Sequence, residues 1–91
     1  MTHKDKIIST VSSFYKVDLF EKTRGRKVSF PRMVAISMLH LFTNMTLEDI
    51  SREFGKPDHA RVIYSKKTVW DLCKAHPEIR KEIIEIEGLL E

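Results

Sequence analysis

Two groups of residues carry chemistry that the rest of the chain must position. Between positions 22 and 32 stand Lys22, Arg24, Arg26, Lys27 and Arg32 with no acid among them, a local charge of +5. Such a run suits phosphate oxygens, and Gly25 within it lets the backbone bend as an arm entering a groove would require. A solvated surface turn has the same composition. The second group is Asp58-His59-Ala60-Arg61. A carboxylate accepts from the cytosine amino group and an imidazole donates to guanine acceptors. An alanine methyl packs on thymine, and an arginine reaches guanine or phosphate. The plainer roles are a helix cap for Asp58 and an exposed surface histidine for His59.

The remaining composition narrows the field. The 91 residues carry 16 Lys and Arg against 13 Asp and Glu, a net +3, so total charge identifies no partner. Its distribution is polarised: residues 77–91 hold five Glu against Arg80 and Lys81. One small domain over 1–91 is expected, with no room for a second core. A single cysteine, Cys73, excludes an internal disulfide, and within an apolar stripe it reads as a small buried hydrophobe. His3, His40, His59 and His76 are too dispersed for a local metal motif, and no base, acid and nucleophile converge. No glycine-rich phosphate loop is present. The expectation is a non-enzymatic protein without cofactor, metal or small-molecule substrate. The apolar stretches are too short for a membrane span and no signal core follows Met1, which points to an intracellular, cytoplasmic and nucleoid-associated location.

With three Gly and three Pro, an all-α fold of five to six helices is expected. Ile7, Ile8, Val11 and Phe14 predict a first helix over 4–15, and Asp18 is a candidate cap for one further turn. The basic loop spans 22–30, and Pro31 suits the first turn of the next helix. Met33 to Phe42 are apolar around most of the circumference, as in the central helix of a core, where His40 is expected half-buried. Thr46 and Asp49 approximate a capping box for a short helix closed by Gly55. After Gly55-Lys56-Pro57, Asp58 is a good N-cap for a helix to about Lys74. Val62, Ser65, Val69, Leu72 and Cys73 form its inner stripe, while Ile63, Tyr64 and Lys67 turn outward. The rings of Tyr64, Trp70 and the phenylalanines are read as core or half-core material, not as platforms for bases. Pro77 interrupts, and an acidic helix over 78–90 sets Ile79, Ile83, Ile86 and Leu90 on its apolar side. The short helix, turn and long helix over about 46–74 make a helix-turn-helix signature, which also occurs in proteins that never touch DNA.

The order of residues resembles a known family. Tyr15-Lys16-Val17, Asp18-Leu19, Lys22-Thr23-Arg24-Gly25-Arg26-Lys27-Val28 and Pro31-Arg32 are followed by Leu41-Phe42-Thr43-Asn44-Met45-Thr46-Leu47. Ile50, Phe54-Gly55, Asp58-His59 and Val62 come next. This is similar to the C-terminal DNA-binding domain of the bacterial replication initiator DnaA, collinear without gaps from about Val11 to Pro77. The resemblance implies a Trp-repressor-like helical domain that binds the DnaA box as double-stranded DNA, in replication initiation or its regulation. It implies that Arg24 enters the minor groove and that Arg26, Arg32 and the Thr43–Leu47 neighbourhood, with Thr46, contact phosphate. Asp58 and His59 match the pair that reads bases in the major groove. Lys22 and Lys27 add affinity, and Ala60 and Arg61 add selectivity.

Three departures stand out. Pro57 replaces a supporting arginine, Ala60 is followed by Arg61 where the family commonly has threonine, and Met33 replaces a polar residue. They shift the expected site more than the expectation of duplex binding. The chain lacks the family's ATPase module, and Met1-Thr2-His3-Lys4-Asp5 reads as a native beginning. Either a stand-alone box-binding domain, as from a phage or mobile element, or an excised end of an initiator fits. The alternative function is a helical protein-interaction or regulatory module with altered or lost box recognition, its acidic C-terminal helix being the candidate partner surface.

Overall fold

The computed structural model describes residues 4–20, 26–55 and 59–90, and gives no side-chain placement for Arg26, Lys27, His59 and Arg61. The described residues form five helices: α1 (Lys4–Tyr15), α2 (Arg26–Phe42), α3 (Leu47–Glu53), α4 (His59–Ala75) and α5 (Pro77–Leu90). All-α architecture is thus observed.

The centre is α2, which packs against α1, α3 and α4, while α5 closes over α1 and α4. Its Val34, Ala35 and Leu39 are fully buried, and Met38 nearly so. Ile7 and Val11 of α1, Ile50 of α3, Val62 and Val69 of α4, and Ile86 and Leu90 of α5 complete one core cluster. Ser37 is buried in the middle of α2 at no polar penalty, because its hydroxyl donates to the Met33 carbonyl at 2.9 Å.

The second helix begins five residues before Pro31, so the basic segment is not a loop through residue 30. Burial decides this. Val28, Pro31 and Ala35 lie three and four apart and are all buried, so one face of the segment is drawn onto the core. The missing Pro31 N–H removes one backbone bond near the helix start, which the packing outweighs. Arg26 and Lys27 therefore occupy the first helical turn, where no acid offsets them. Lys22, Arg24 and Gly25 lie outside the described residues.

The helix ends follow local chemistry. Lys16 takes φ 56° after α1, and the Val17 N–H reaches back to the Ser12 carbonyl at 3.1 Å. This is the six-to-one bond of a Schellman cap, with lysine where glycine is usual. Asp18 Oδ1 accepts from the Phe20 N–H at 2.9 Å, turning the chain after Val17. At α3 the capping box is complete: Thr46 Oγ1 accepts from the Asp49 N–H at 3.1 Å and Asp49 Oδ2 accepts from the Thr46 N–H at 3.2 Å. Gly55, at φ +70°, closes the other end through a bond to the Arg52 carbonyl.

The box also holds the Asp49 carboxyl below its ordinary range, through the Thr46 backbone N–H first and the Thr46 side chain second. A lowered carboxylate pKa adds stability above its unfolded value, and that stability is lost as pH falls through the folded value. Thr46→Ala is expected to return the Asp49 titration toward the ordinary carboxylate range. Loss of the cap is expected to cost about 1 kcal/mol. NMR titration of the Asp49 carboxyl and urea unfolding check the two effects.

The aromatic rings depart from the expectation of core or half-core. Phe14, Tyr15, Phe30 and Phe54 do pack against the core cluster. Trp70 and Tyr64, however, are 65% and 61% exposed, and Phe20 and Phe42 are also exposed. On α4 the fully buried stripe is narrow, Val62-Ser65-Val69, and Tyr64 and Trp70 lie outside it. Tyr15 instead sits edge-on to Phe14 and Phe30. Burial first, then the nearby Glu82 and Cys73, push its phenol well above the usual tyrosine range. Burial likewise raises the Cys73 thiol, which disfavours the nucleophilic thiolate.

Candidate nucleic-acid interface

The helix-turn-helix is built from α3 and α4 packed on α2. A seven-residue helix is too short to persist alone, so its capping box and the buried Ile50 and Ser51 hold it. A long-range ion pair from α1, Lys4 Nζ to Glu53 Oε2 at 3.1 Å, ties its far end. Nothing in the local sequence around either residue announces that pair. Along α3, Glu48 and Arg52 form an i, i+4 pair on the exposed side.

Helix α4 follows with part of the inner stripe expected from the sequence: Val62, Ser65 and Val69 are buried, while Leu72 and Cys73, expected on the same stripe, are only half-buried. Anchored this way, Ala60, Ile63, Tyr64 and Lys67 are all exposed. Ala60 and Tyr64 are four residues apart, so they share one outward face near the N-terminal end of the helix. Tyr64 is a site candidate that composition alone misses. The signal was present in its phase relative to Val62, which outweighs the general tendency of aromatic rings to be buried.

A cleft of about 340 Å³ opens between α2, α3 and the first turns of α4. Arg32 and Ala60, two candidates distant in sequence, both line it, as do Tyr64 and Phe54. Arg32 is half-buried, and its Nε donates to the Leu19 carbonyl at 2.9 Å. That bond fixes the guanidinium against the turn after α1, so the arginine is held and does not sweep solvent.

The other candidates divide. Thr43 donates its hydroxyl proton to the Leu39 carbonyl and accepts from the Met45 N–H at 3.2 Å, so both functions of the group serve the turn after α2. Thr46 is exposed, and its hydroxyl is engaged in the capping box with Asp49. Leu47 is half-buried and packs against the core on the side away from the cleft, lining a second groove. Arg26, Lys27, His59 and Arg61 have helical backbones in the first turns of α2 and α4. Asp58 and the departure Pro57, like Lys22 and Arg24, lie outside the described residues. Among the described residues no helix is long and apolar enough to cross a membrane.

These elements define a helix-turn-helix protein: a capped short helix, a turn through Gly55, and a longer helix with a buried stripe and an exposed N-terminal face. The model of the bacterial dnaA protein helix-turn-helix matches residues 4–69. The chain belongs to that family. It is 32% identical over 89 residues to the chromosomal replication initiator protein DnaA of Laribacter hongkongensis, which covers 94% of this chain and 18% of that protein. It is 34% identical over 88 residues to the protein of the same name from Enterococcus faecalis, covering 93% of this chain and 20% of that protein. The chain thus spans about a fifth of the length of these relatives.

Proposed function

We propose that this chain binds double-stranded DNA sequence-selectively, in the initiation of replication or its regulation, with α4 in the major groove and the segment around Arg24 in the minor groove. The observation that carries this reading is the convergence of Arg32 and the exposed Ala60 face of α4 on one cleft of the helix-turn-helix. A helix presented this way offers its first turns to base edges. Asp58, His59, Ala60 and Arg61 supply selectivity there, and Tyr64 lies one turn further along the same face.

Electrostatics supports the reading. A helix N-terminus already carries partial positive charge, so Arg26 and Lys27 in the first turn of α2 work against helix stability. The same concentration of positive potential attracts a phosphate backbone. The flanking sequence adds Lys22, Arg24 and Arg32 to the same positive charge, and the Thr46 hydroxyl at the start of α3 is a further proposed phosphate contact. The relatives' name, chromosomal replication initiator protein, is the ground for placing the activity in replication initiation.

Selection from a random duplex library at physiological salt tests the proposal. One enriched motif is expected, and His59→Ala is expected to flatten the major-groove preference while leaving the salt dependence in place. Each lost base contact corresponds to about 1–3 kcal/mol of discrimination. Absence of any enriched sequence would overturn box-type recognition and leave the fold as a protein-interaction module.

A further inference from the structure

On the flank of α4 that faces α5 lies a groove of about 870 Å³, separate from the cleft that holds Arg32 and Ala60. Four large apolar side chains line it and remain mostly exposed: Leu41 of α2 at 64%, Ile63 and Trp70 of α4 at 56% and 65%, and Ile84 of α5 at 56%. Contiguous apolar surface of this kind marks a binding site more often than it marks incidental exposure. Its charged lining is one-sided. Lys66, Lys67, Lys74 and Arg80 border it, against the one carboxylate of Glu87 among the described residues. Lys74 Nζ stands 5.4 Å from the centre of the Trp70 ring, so the central aromatic is itself flanked by a cation.

We infer that this groove docks an amphipathic helix of a partner protein that carries apolar anchors on one face and Asp or Glu along its edges. The walls are helices whose backbone groups are already paired within each helix, so an extended peptide would find no backbone partners there. A helix brings its own backbone bonds satisfied and packs between α4 and α5 at ordinary interhelical spacing. The apolar floor distinguishes this partner from a nucleic-acid duplex, whose bases are stacked inside and whose phosphates gain nothing from Trp70, Leu41 or Ile84. A groove recessed between helices is also a poor fit to the broad face of an anionic membrane. A second copy of the chain is disfavoured by charge: two such faces set together oppose Lys66, Lys74 and Arg80 to the same cations. The acidic edge of α5, Glu78, Glu82 and Glu85, offers only Leu89 as a large exposed apolar anchor.

The centre of the groove is offset from the proposed DNA-reading end, although Leu47, Ile63 and Lys67 at its near end approach it. Trp70 lies about 16 Å along the α4 axis from His59, at the rise of an ordinary helix. Trp70, Lys74, Arg80 and Ile84 all lie C-terminal to residues 4–69. The inference does not rest on the DNA reading.

Trp70 is the single tryptophan of the chain and reports directly on the groove. The probe is a synthetic helix of about 16 residues, or ~24 Å, with leucines at i, i+4, i+7 and i+11 and glutamates on both edges. Titrating it into the protein is expected to shift Trp70 emission to shorter wavelength as the indole is desolvated. The same helix with lysine edges is expected to bind at least about tenfold more weakly. Ile84→Glu is expected to weaken the acidic helix by about tenfold or more. Lys74→Glu with Arg80→Glu is expected to remove the preference for acidic edges. All three side chains are exposed, so circular dichroism is expected to show unchanged folding. No emission shift with the acidic helix up to about 1 mM, or equal binding of acidic and basic helices, would overturn the inference. A shift produced by phosphatidylglycerol vesicles or a DNA duplex but not by the helix would also overturn it and assign the groove to that surface. A shift on concentrating the protein alone would assign it to self-association.

Discussion

Raising monovalent salt from 50 to 200 mM is expected to weaken binding of this chain to a duplex by about 500-fold. The expectation follows from counterion release: five cations on the proposed phosphate-facing segment, Lys22, Arg24, Arg26, Lys27 and Arg32, give log K a slope against log salt near −4 to −5. Two structural findings sharpen the assignment. Arg26 and Lys27 ride on the first turn of α2, so that part of the basic segment is ordered with the core. Arg32 is anchored to the Leu19 carbonyl, so its contribution depends on the turn after α1 being intact. Replacing Arg26 and Lys27 together by alanine is expected to lower the slope by about 2. Because those cations oppose the helix dipole, the same change is expected to leave thermal stability unchanged or slightly raised. Fluorescence anisotropy across a salt series measures the slope. A value near zero would remove the electrostatic basis of the proposed function.

Leu39→Ala is expected to destabilise the fold by about 2–5 kcal/mol. Leu39 is fully buried at the middle of α2, the helix against which α1, α3 and α4 all pack. Truncation removes transfer energy and leaves a cavity that four converging helices relax into only partly. A domain of this size holds roughly 5–14 kcal/mol in total, so the variant loses a large fraction of its stability. Its melting temperature is expected to fall by roughly 10 °C or more. Leu41→Ala, two residues on, is the internal control. Leu41 is 64% exposed, so its truncation is expected to stay within about 0.5 kcal/mol. Urea unfolding of both variants gives the comparison, and equal losses would contradict the placement of α2 at the centre of the core.

The contrast between Leu39 and Leu41 also shows what a sequence can convey about this fold. Both are leucines on an apolar helix, and composition does not separate them. Periodicity does better where one face dominates: the first helix over 4–15, the Thr46–Asp49 capping box and the Val62-Ser65-Val69 part of the α4 stripe all reappear in the structure. Each of these is specified within one or two turns of chain. The exposure of Trp70 was not legible, because it depends on whether a neighbouring helix covers the flank of α4, whereas the outward phase of Tyr64 relative to Val62 was.

The proposed DNA-reading residues are a mixed case. The types and spacing of Arg24, Arg26, Arg32, Asp58 and His59 sufficed for a family resemblance. The family membership agrees with that resemblance. Which of the candidates meet depended on tertiary contacts: Arg32 and Ala60 share a cleft, Leu47 faces another groove, and both hydrogen-bonding functions of Thr43 serve a backbone turn.

By itself, the sequence determined the all-helical class, the helix-turn-helix with the capping box and glycine end of its short helix, and the polarity of charge between a basic segment and an acidic tail. These are set by interactions between near neighbours in the chain, such as caps, turns and apolar periodicity. Only the tertiary structure decided that α2 starts at Arg26 instead of Pro31, since the gain comes from burying Val28, which its own helical turn cannot cover. Only the tertiary structure decided, too, that Leu41, Ile63, Trp70 and Ile84 line an open basic-rimmed groove. A groove is made by the gap between α2, α4 and α5, and no single segment encodes a gap.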